Sequence, residues 1–243
     1  MSFQTVFKRY ELKYILTTEQ KQKIIQAISP YMELDKYGRT TIRNIYYDTD
    51  NFRLIRQSIE KPVYKEKLRI RSYSKATADS TVFAELKKKY LSVVYKRRIS
   101  LPEQEAVDWV EKRRSTCKHT QIANEIDYFL NYYENLKPKV FLSYERESYY
   151  TKKASDFRVT FDDTILAREK DLSLTFDVYG TYVLPKENVL MEIKCSGGIP
   201  LWMTRILSEN KIYKCSFSKY GTAYKDIILP KILKSYREAN FYA

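Results

Sequence analysis

The sequence contains very little histidine and cysteine. His119 is the only histidine among 243 residues, which excludes a catalytic histidine pair and any zinc site built from several histidines. The three cysteines, Cys117, Cys195 and Cys215, are an odd number and lie too far apart for a Cys-x-x-Cys site. We therefore expect free thiols in a reducing compartment.

Glycine and long apolar runs are also scarce. The chain has only five glycines, and they form neither a Gly-rich phosphate loop nor a dinucleotide-binding fingerprint, so side chains must hold any bound nucleotide. No apolar run approaches the roughly 20 residues of a membrane helix. The N-terminal segment MSFQTVFKRYELKY lacks the apolar core of a signal peptide. These absences predict a cytoplasmic protein.

Positive charge, by contrast, is abundant. Lys and Arg total 44 and Asp and Glu total 30, which gives a net charge of +14 at pH 7. A surplus of this size points to an anionic partner such as nucleic acid, an anionic membrane or a phosphate compound. Hydrophobic residues make up 44% of the chain, and no linker or internal repeat is visible. We therefore expect one domain that spans residues 1–243.

Period-two alternation predicts a largely β protein. The alternating segments cover residues 5–16, 39–48, 64–74, 81–90, 92–101, 138–151, 157–164 and 188–195. Helical spacing predicts one helix that starts at Thr17 and further helices over residues 52–59, 102–113, 122–134, 200–209 and 220–236. Antiparallel strands with inserted helices define an α+β fold. Many strands with few glycines favour a barrel or a strongly curved sheet.

Most of these strands carry ions of both signs on one face. Side chains of one parity share a face of a strand, and the ionic parity comprises Arg9, Glu11 and Lys13; Lys67, Arg69 and Arg71; Glu85, Lys87 and Lys89; Lys96 and Arg98; Tyr144 and Arg146; Arg158, Thr160 and Asp162; and Glu192, Lys194 and Ser196. A solvated outer face would explain any single strand, but the recurrence favours a barrel with a charged interior. Interior cations need a counter-charge. A polyphosphate chain would supply it, and interior carboxylates would then hold a divalent cation.

The motifs on these strands resemble those of a known family. They are RYELKY (9–14), NIYYDTDNF (44–52), KLRIRSY (67–73), FAELKKK (83–89), YKRRISL (95–101), LSYERESY (142–149), RVTFDD (158–163), VLMEIK (189–194) and SFSKYG (216–221). In this order they resemble the VTC domain, the polyphosphate polymerase domain of the vacuolar transporter chaperone complex, in its stand-alone bacterial form. That family belongs to the triphosphate tunnel metalloenzyme superfamily, and the resemblance covers residues 9 to about 225.

The resemblance implies an antiparallel β-barrel tunnel with helices packed outside it, and an ATP-dependent polyphosphate polymerase that uses Mn or Mg. It implies catalytic, phosphate-binding roles for Lys13, Arg69, Arg71, Lys87, Lys96, Arg146 and Lys219. It also implies substrate contacts from Tyr144 and Ser218, to which the tunnel parity adds Arg9, Arg98, Arg158 and Lys194. Metal binding is implied for Glu192, with Glu11 and Glu85 as further candidates.

The sequence departs from related proteins at two positions. The first strand reads Arg-Tyr-Glu-Leu-Lys where hydrolytic members of the superfamily have Glu-x-Glu-x-Lys, so Arg9 replaces one metal-binding carboxylate. This replacement favours a polymerase over hydrolysis of triphosphate. Ser216 stands where the eukaryotic polymerase has a further lysine, so that phosphate contact is not expected here.

The sequence leaves two other functions open. One is hydrolysis of triphosphate or of a nucleoside triphosphate in the same tunnel. The other is non-catalytic binding of polyphosphate or nucleic acid, although no RNA- or DNA-binding motif is visible and no sequence-specific nucleic acid is expected. The chain lacks the other modules of the eukaryotic complex, so association with the inner face of a membrane would need a separate protein partner. The oligomeric state is left open.

The last predicted helix carries an apolar face. This face comprises Ile227, Ile228, Leu229 and Ile232. It could close one end of the tunnel or dock on a partner, but we expect it to pack on the barrel of its own domain.

Overall fold

Antiparallel strands form most of the molecule. A computed structural model describes residues 6–241 except 92, 115, 117–119 and 153–155, so Cys117 and His119 lie outside the described residues. The strands are β1 (Val6–Thr17), β2 (Met32–Asp48), β3 (Tyr64–Ser72), β4 (Thr81–Tyr90), β5 (Val93–Pro102), β6 (Lys137–Thr151), β7 (Arg158–Arg168), β8 (Thr181–Tyr182) and β9 (Asn188–Cys195). Seven of the eight segments predicted as strands begin within two residues of an observed strand. The exception is the segment that corresponds to β2.

The strands join into a ring. Their order is β6-β2-β3-β4-β5-β1-β9-β7, and β6 pairs again with β7, so each of these eight strands has a hydrogen-bonded neighbour on both sides. The two-residue strand β8 attaches to β7 at Leu166 and Ala167. The expected α+β fold with a barrel-like tunnel is therefore confirmed. Pairing on both sides also removes the exposed edges that an open sheet presents.

Helices lie outside the ring. They are α1 (Thr18–Ile28), α2 (Arg53–Ile59), α3 (Glu103–Lys112), α4 (Gln121–Tyr132), α5 (Leu201–Glu209), α6 (Lys219–Ala223) and α7 (Leu229–Phe241). The first helix begins where the sequence predicts it. The Thr17 side chain accepts a hydrogen bond from the Gln20 backbone, and the Gln20 side chain accepts one from the Thr17 backbone. This reciprocal capping box fixes the end of β1 and the start of α1.

The hydrophobic core lies between the outer face of the barrel and the helices. One cluster joins β3, β4 and β5 to α3 and α4 through residues such as Leu68, Leu86 and Trp109. A second cluster joins β1, β7 and β9 to α1 and α5, and a third joins β2 and β6 to α2 and the C-terminal helices. Because the apolar parity of the strands is used in these contacts, the ionic parity is left to face the interior of the ring.

The main differences from the expected elements lie in β2 and at the C-terminus. β2 begins at Met32 because residues 32–34 pair with residues 149–151 of β6, beyond a register shift. Residues 220–236, expected as one helix, form most of α6, a π-helical turn at Tyr224–Ile228 and part of α7. Ile228 is buried in the third cluster, which confirms that this segment packs on the barrel. No helix in the described part of the chain has the length and apolar content to cross a bilayer.

Candidate functional site

Charged side chains from seven strands line the interior of the ring. Arg146 of β6 reaches Glu192 of β9 over β7, and Lys87 of β4 reaches Glu11 of β1 over β5, so these side chains share the face of the sheet opposite to the helices. The cations are Lys13, Lys67, Arg69, Arg71, Lys87, Lys96, Arg98, Arg146, Arg158, Lys194 and Lys219, and the carboxylates are Glu11, Glu85, Asp162 and Glu192. Cations outnumber carboxylates, so the tunnel carries a positive charge that its own acidic residues do not neutralise.

Glu85 of β4 is the centre of the first cluster in the tunnel and is 0% exposed. Arg69 lies 2.7 Å and Lys96 2.5 Å from its carboxylate oxygens, with Arg71 and Arg98 farther out at 3.8 and 4.0 Å. Burial would raise the pKa of Glu85, but the surrounding cations outweigh burial and hold that pKa well below its usual range. Glu85 therefore stays charged and fixes the positions of the cations around it.

Neutral groups of β2 and β6 complete the positioning of the two arginines. The Tyr46 hydroxyl accepts a hydrogen bond from Arg69 at 2.9 Å. Arg71 donates to the Asn44 side-chain oxygen at 2.8 Å and to the Tyr144 hydroxyl at 3.1 Å. Each guanidinium is thus held from two sides. Such preorganisation favours bidentate binding of a phosphate by the planar guanidinium group.

Glu192 and Asp162 form a second cluster on β9 and β7. Lys194 lies 2.8 Å and Lys219 3.2 Å from Glu192, while Arg146 and Lys219 each lie 2.6 Å from Asp162. Burial would raise the pKa of Glu192, yet Lys194 and Lys219 hold it well below its usual range. Burial would lower the pKa of Lys219, and here Asp162 and Glu192 raise it instead. Glu192 and Lys219 are therefore charged at neutral pH, whereas burial lowers the pKa of Lys194 to about 7.

Lys67 is placed differently from the other tunnel cations. It makes no ion pair with any carboxylate in the part of the chain that the structure describes, and its ammonium group lies 3.2 Å from the Ser218 hydroxyl. Burial, and then the repulsion from Lys13 and Lys87, lower the pKa of Lys67 to about 7. An anion in the tunnel would offset the repulsion between these lysines, so Lys67 is a candidate to bind phosphate.

The segment 217–220 brings the C-terminal part of the chain to one end of the tunnel. Lys13 donates to the Phe217 carbonyl at 2.7 Å, and Ser218 caps α6 by accepting from the Gly221 backbone. Tyr220 stacks on Tyr46 with ring centroids 4.7 Å apart. The segment therefore holds Lys219 against both carboxylates of the second cluster.

The structure brings most of the expected site residues together. Lys13, Arg69, Arg71, Lys87, Lys96, Arg98, Tyr144, Arg146, Lys194, Ser218, Lys219, Glu11, Glu85 and Glu192 all belong to the contacts of the tunnel wall. Arg158 donates to the Tyr150 hydroxyl at 2.8 Å. The backbone of Arg9 pairs with Val94, while its side chain lies outside the described residues. Their roles toward phosphate and metal stay predictions.

Four tunnel residues were not among the expected site residues. Lys67 and Asp162 share the strand parity of assigned neighbours, so this parity was the signal that could have identified them. Asn44 and Tyr46 belong to the NIYYDTDNF motif, but nothing in the motif shows that they hold the arginines of β3.

A metal ion in the tunnel would need ligands besides the carboxylates of the protein. No group of three or more Asp, Glu, His or Cys side chains among the described residues is arranged to hold a metal by itself. Glu192 lies close enough to Glu11 to oppose its ionisation, and proteins commonly hold Mg²⁺ with one or two carboxylates together with substrate phosphates. Glu85 and Glu192 each lie within 4.0 Å of four cations, so both have the surroundings of a counter-ion, and their metal-binding roles stay predictions.

A ring of antiparallel strands around a basic tunnel, with helices outside, defines the class of triphosphate tunnel folds. The solved structure of a candidate adenylate cyclase from Bacillus halodurans has a TM-score of 0.56 and 17% identity to this chain, covering 88% of this chain and 96% of that one. A candidate adenylyl cyclase from Hippeastrum, described as having a dominant triphosphatase activity, has a TM-score of 0.51 and 16% identity, covering 87% and 93%. At these identities the likeness concerns the fold alone.

The family assignment is narrower than the fold. The profile of the VTC domain matches residues 8–228, so the chain belongs to the VTC domain family, and the resemblance found in the sequence motifs is confirmed. No curated protein matches the chain.

Proposed function

We propose that the protein is an ATP-dependent polyphosphate polymerase. The observation that carries the proposal is the tunnel itself, a ring of strands whose interior holds more cations than carboxylates, with no acidic partner for Lys67 among the residues that the structure describes. A polyanion would neutralise this surplus along the length of the tunnel. Membership of the VTC domain family supports ATP as the phosphoryl donor and polyphosphate as the acceptor and product.

Phosphoryl transfer in this tunnel requires positioning more than covalent chemistry. The γ-phosphoryl of ATP would pass to the terminal phosphate of the chain and release ADP, through a loose transition state with charge spread over its oxygens. Arg69 and Arg71 offer paired donors that Glu85, Tyr46 and Asn44 already hold in place. Such donors stabilise the transition-state charge without reorganising at the moment of reaction. The acceptor phosphate is ionised, so the reaction needs no strong general base.

The second cluster would bind phosphate by exchange of partners. In the ligand-free protein Lys194 and Lys219 contact Glu192. When phosphate enters, these lysines can turn their remaining donors to it. Glu192, with Glu11 beside it, would hold Mn or Mg, and the bound ion would neutralise phosphate charge.

Hydrolysis of triphosphate is the second candidate function. It is favoured by the description of the Hippeastrum protein, which has the same fold. Hydrolysis requires an aligned water molecule, usually beside a second metal-bound carboxylate, and Arg9 occupies the position where hydrolytic members carry that carboxylate. A non-catalytic polyphosphate-binding protein would have the same tunnel and no turnover.

One assay separates the three functions. The purified protein is incubated with ATP and Mn²⁺ or Mg²⁺, polyphosphate is detected on a gel, and ADP and orthophosphate are quantified. Long polymer with stoichiometric ADP is the expected result. Orthophosphate without polymer would replace the proposal with hydrolysis. Tight binding of tripolyphosphate without turnover of ATP would replace it with a binding function.

A further inference from the structure

The two ends of the β3–β4 hairpin present different chemistry to the tunnel. At one end Lys65 pairs with Lys89 and Lys67 with Lys87. At the other end Arg71 pairs with Phe83, and Tyr73 follows Arg71 at the next position of the same parity. One mouth of the tunnel is therefore rich in lysine, whereas the other, here named the aromatic mouth, is formed by Tyr73, Phe83 and Arg98.

An arginine and two aromatic rings are stacked together at the aromatic mouth. The guanidinium carbon of Arg98 lies 4.3 Å from the centroid of the Phe83 ring. Tyr73 meets Phe83 edge to face with centroids 5.6 Å apart, and its hydroxyl accepts a hydrogen bond from Arg98 at 3.5 Å. Phe83 is buried, while Tyr73 is 42% exposed. A ligand in the mouth can therefore reach the Tyr73 ring directly.

Aromatic rings at this mouth are not explained by phosphate binding, because phosphate oxygens gain nothing from a ring face. Nucleobases, in contrast, stack on aromatic side chains and on the plane of a guanidinium group. Tyr73 lies one residue beyond the end of β3, and its hydroxyl hydrogen-bonds to Arg71 as well as to Arg98. A base stacked on the Tyr73 ring would therefore lie next to a phosphate bound by Arg71.

We propose that Tyr73, Phe83 and Arg98 form a nucleobase-binding subsite, so that a nucleoside triphosphate lies with its base in the aromatic mouth and its phosphates on Arg71 and the cations beyond it. The inference rests on the proposed function, in which a nucleoside triphosphate is the donor. It adds a direction: the donor occupies the aromatic mouth, and the polymer extends from there toward the lysine-rich end. Stacking does not read hydrogen bonds, so the subsite accepts either purine base.

The test compares a ligand that has a base with one that lacks it. Binding of ATP and of inorganic tripolyphosphate to the full chain is measured by calorimetry in metal-free buffer. Tyr73→Ala is expected to weaken ATP binding about 5- to 100-fold, the range found for one base–aromatic stack. Binding of tripolyphosphate is expected to differ less than about twofold between Tyr73→Ala and Tyr73→Phe, because both variants lose the hydroxyl that bonds to Arg71 and Arg98 and only Tyr73→Ala loses the ring. Tyr73→Phe, which keeps the ring, is expected to bind ATP like the natural protein.

Tyr90 provides a matched control for the substitution. It lies at the opposite end of β4 and is 49% exposed, so Tyr90→Ala removes a similar ring far from the aromatic mouth. This variant is expected to bind both ligands normally. Equal weakening of ATP and tripolyphosphate by Tyr73→Ala, or no weakening of ATP, would overturn the subsite and leave the proposed function intact. A natural protein that binds neither ligand would overturn both.

Discussion

Lys67 is a residue at which stability and ligand binding are in conflict. It lies among lysines in the tunnel, and burial together with Lys13 and Lys87 lowers its pKa from the ordinary 10.5 to about 7. Between these two pH values the unfolded chain binds more protons at this position than the folded chain. The ligand-free protein therefore gains stability from Lys67 deprotonation as the pH rises from 7 toward 10.5.

Lys67→Met is expected to raise the melting temperature of the ligand-free protein at pH 7, because it removes a repelled cation and keeps an unbranched side chain. The same variant should show a smaller rise in melting temperature on addition of tripolyphosphate. Thermal unfolding with and without tripolyphosphate measures both effects. Lys88→Met is the control, since Lys88 faces outward beside Glu125. A lower melting temperature of ligand-free Lys67→Met would contradict the expectation.

Arg69 is the residue whose loss should reduce turnover most directly. Arg69→Ala would remove the proposed two-donor contact to phosphate, and loss of one preorganised donor from a transition state typically costs about 10²- to 10³-fold in rate. The fold is expected to persist because Lys96 and Arg71 still accompany Glu85. The rate of ADP release at saturating ATP gives the first quantity, and circular dichroism checks the second.

Arg97 is the matched control for Arg69. It faces outward from β5 and pairs with Glu125 at 3.0 Å, so Arg97→Ala removes a partly exposed ion pair worth about 1 kcal/mol or less. Its turnover should equal that of the natural protein. A folded Arg69→Ala variant with natural turnover would remove Arg69 from the proposed reaction.

At the scale of elements, Asp48 connects the end of β2 to two helices. Its carboxylate accepts hydrogen bonds from the Thr49, Leu54 and Ile55 backbone at 2.8 to 3.0 Å and from the Tyr220 hydroxyl at 3.0 Å. It therefore caps α2 and anchors the segment that carries Lys219.

Asp48→Ala is expected to lower the free energy of unfolding by about 2–4 kcal/mol, because it leaves several buried donors without an acceptor. Urea unfolding measures the change, and the midpoint should fall while the slope stays constant. Asp50→Ala should leave the urea midpoint almost unchanged, since Asp50 is exposed and solvent screens its ion pairs with Lys137 and Lys139. Equal effects of the two variants would exclude the anchoring role.

Strands with regular alternation could be predicted from the sequence, and β4 and β9 match the expected bounds to the residue. The first part of β2 could not, because most of residues 32–37 are exposed and the stretch is held by the long-range pairing of residues 32–34 with β6. Strand parity also predicted which side chains face the tunnel. It could not predict that Asp162 meets Lys219, because that contact depends on how the C-terminal segment crosses the ring.

At the scale of the whole molecule, the barrel has charged side chains inside and apolar side chains outside. A small soluble barrel usually has the opposite arrangement. The net charge is +14, and a concentrated part of the positive charge lines the interior, whereas apolar side chains cover the outside beneath helices. Binding of a polyanion should therefore depend strongly on ionic strength.

Raising the salt concentration from about 0.05 M to about 0.5 M should weaken tripolyphosphate binding by roughly tenfold or more, because the Debye length falls from well above 10 Å to a few ångströms. Calorimetric titrations at several salt concentrations measure the dependence. The melting temperature of the ligand-free protein should rise over the same range, since salt screens the repulsion among the tunnel lysines. An affinity that is independent of salt would contradict the proposed charge recognition.

The position of β1 in the ring has a consequence for how the protein folds. β1 comes first in chain order among the strands of the ring, yet its two neighbours are β5 and β9, and Lys13 of β1 donates a hydrogen bond to the Phe217 carbonyl, 204 residues away. Contacts of such long range close late and slow the overall folding rate. A nascent chain can form the β3–β4–β5 meander early, but β1 must wait for β9 before the ring exists. A complete tunnel, and with it the proposed polyanion site, therefore exists only in the finished domain and not in a chain still on the ribosome.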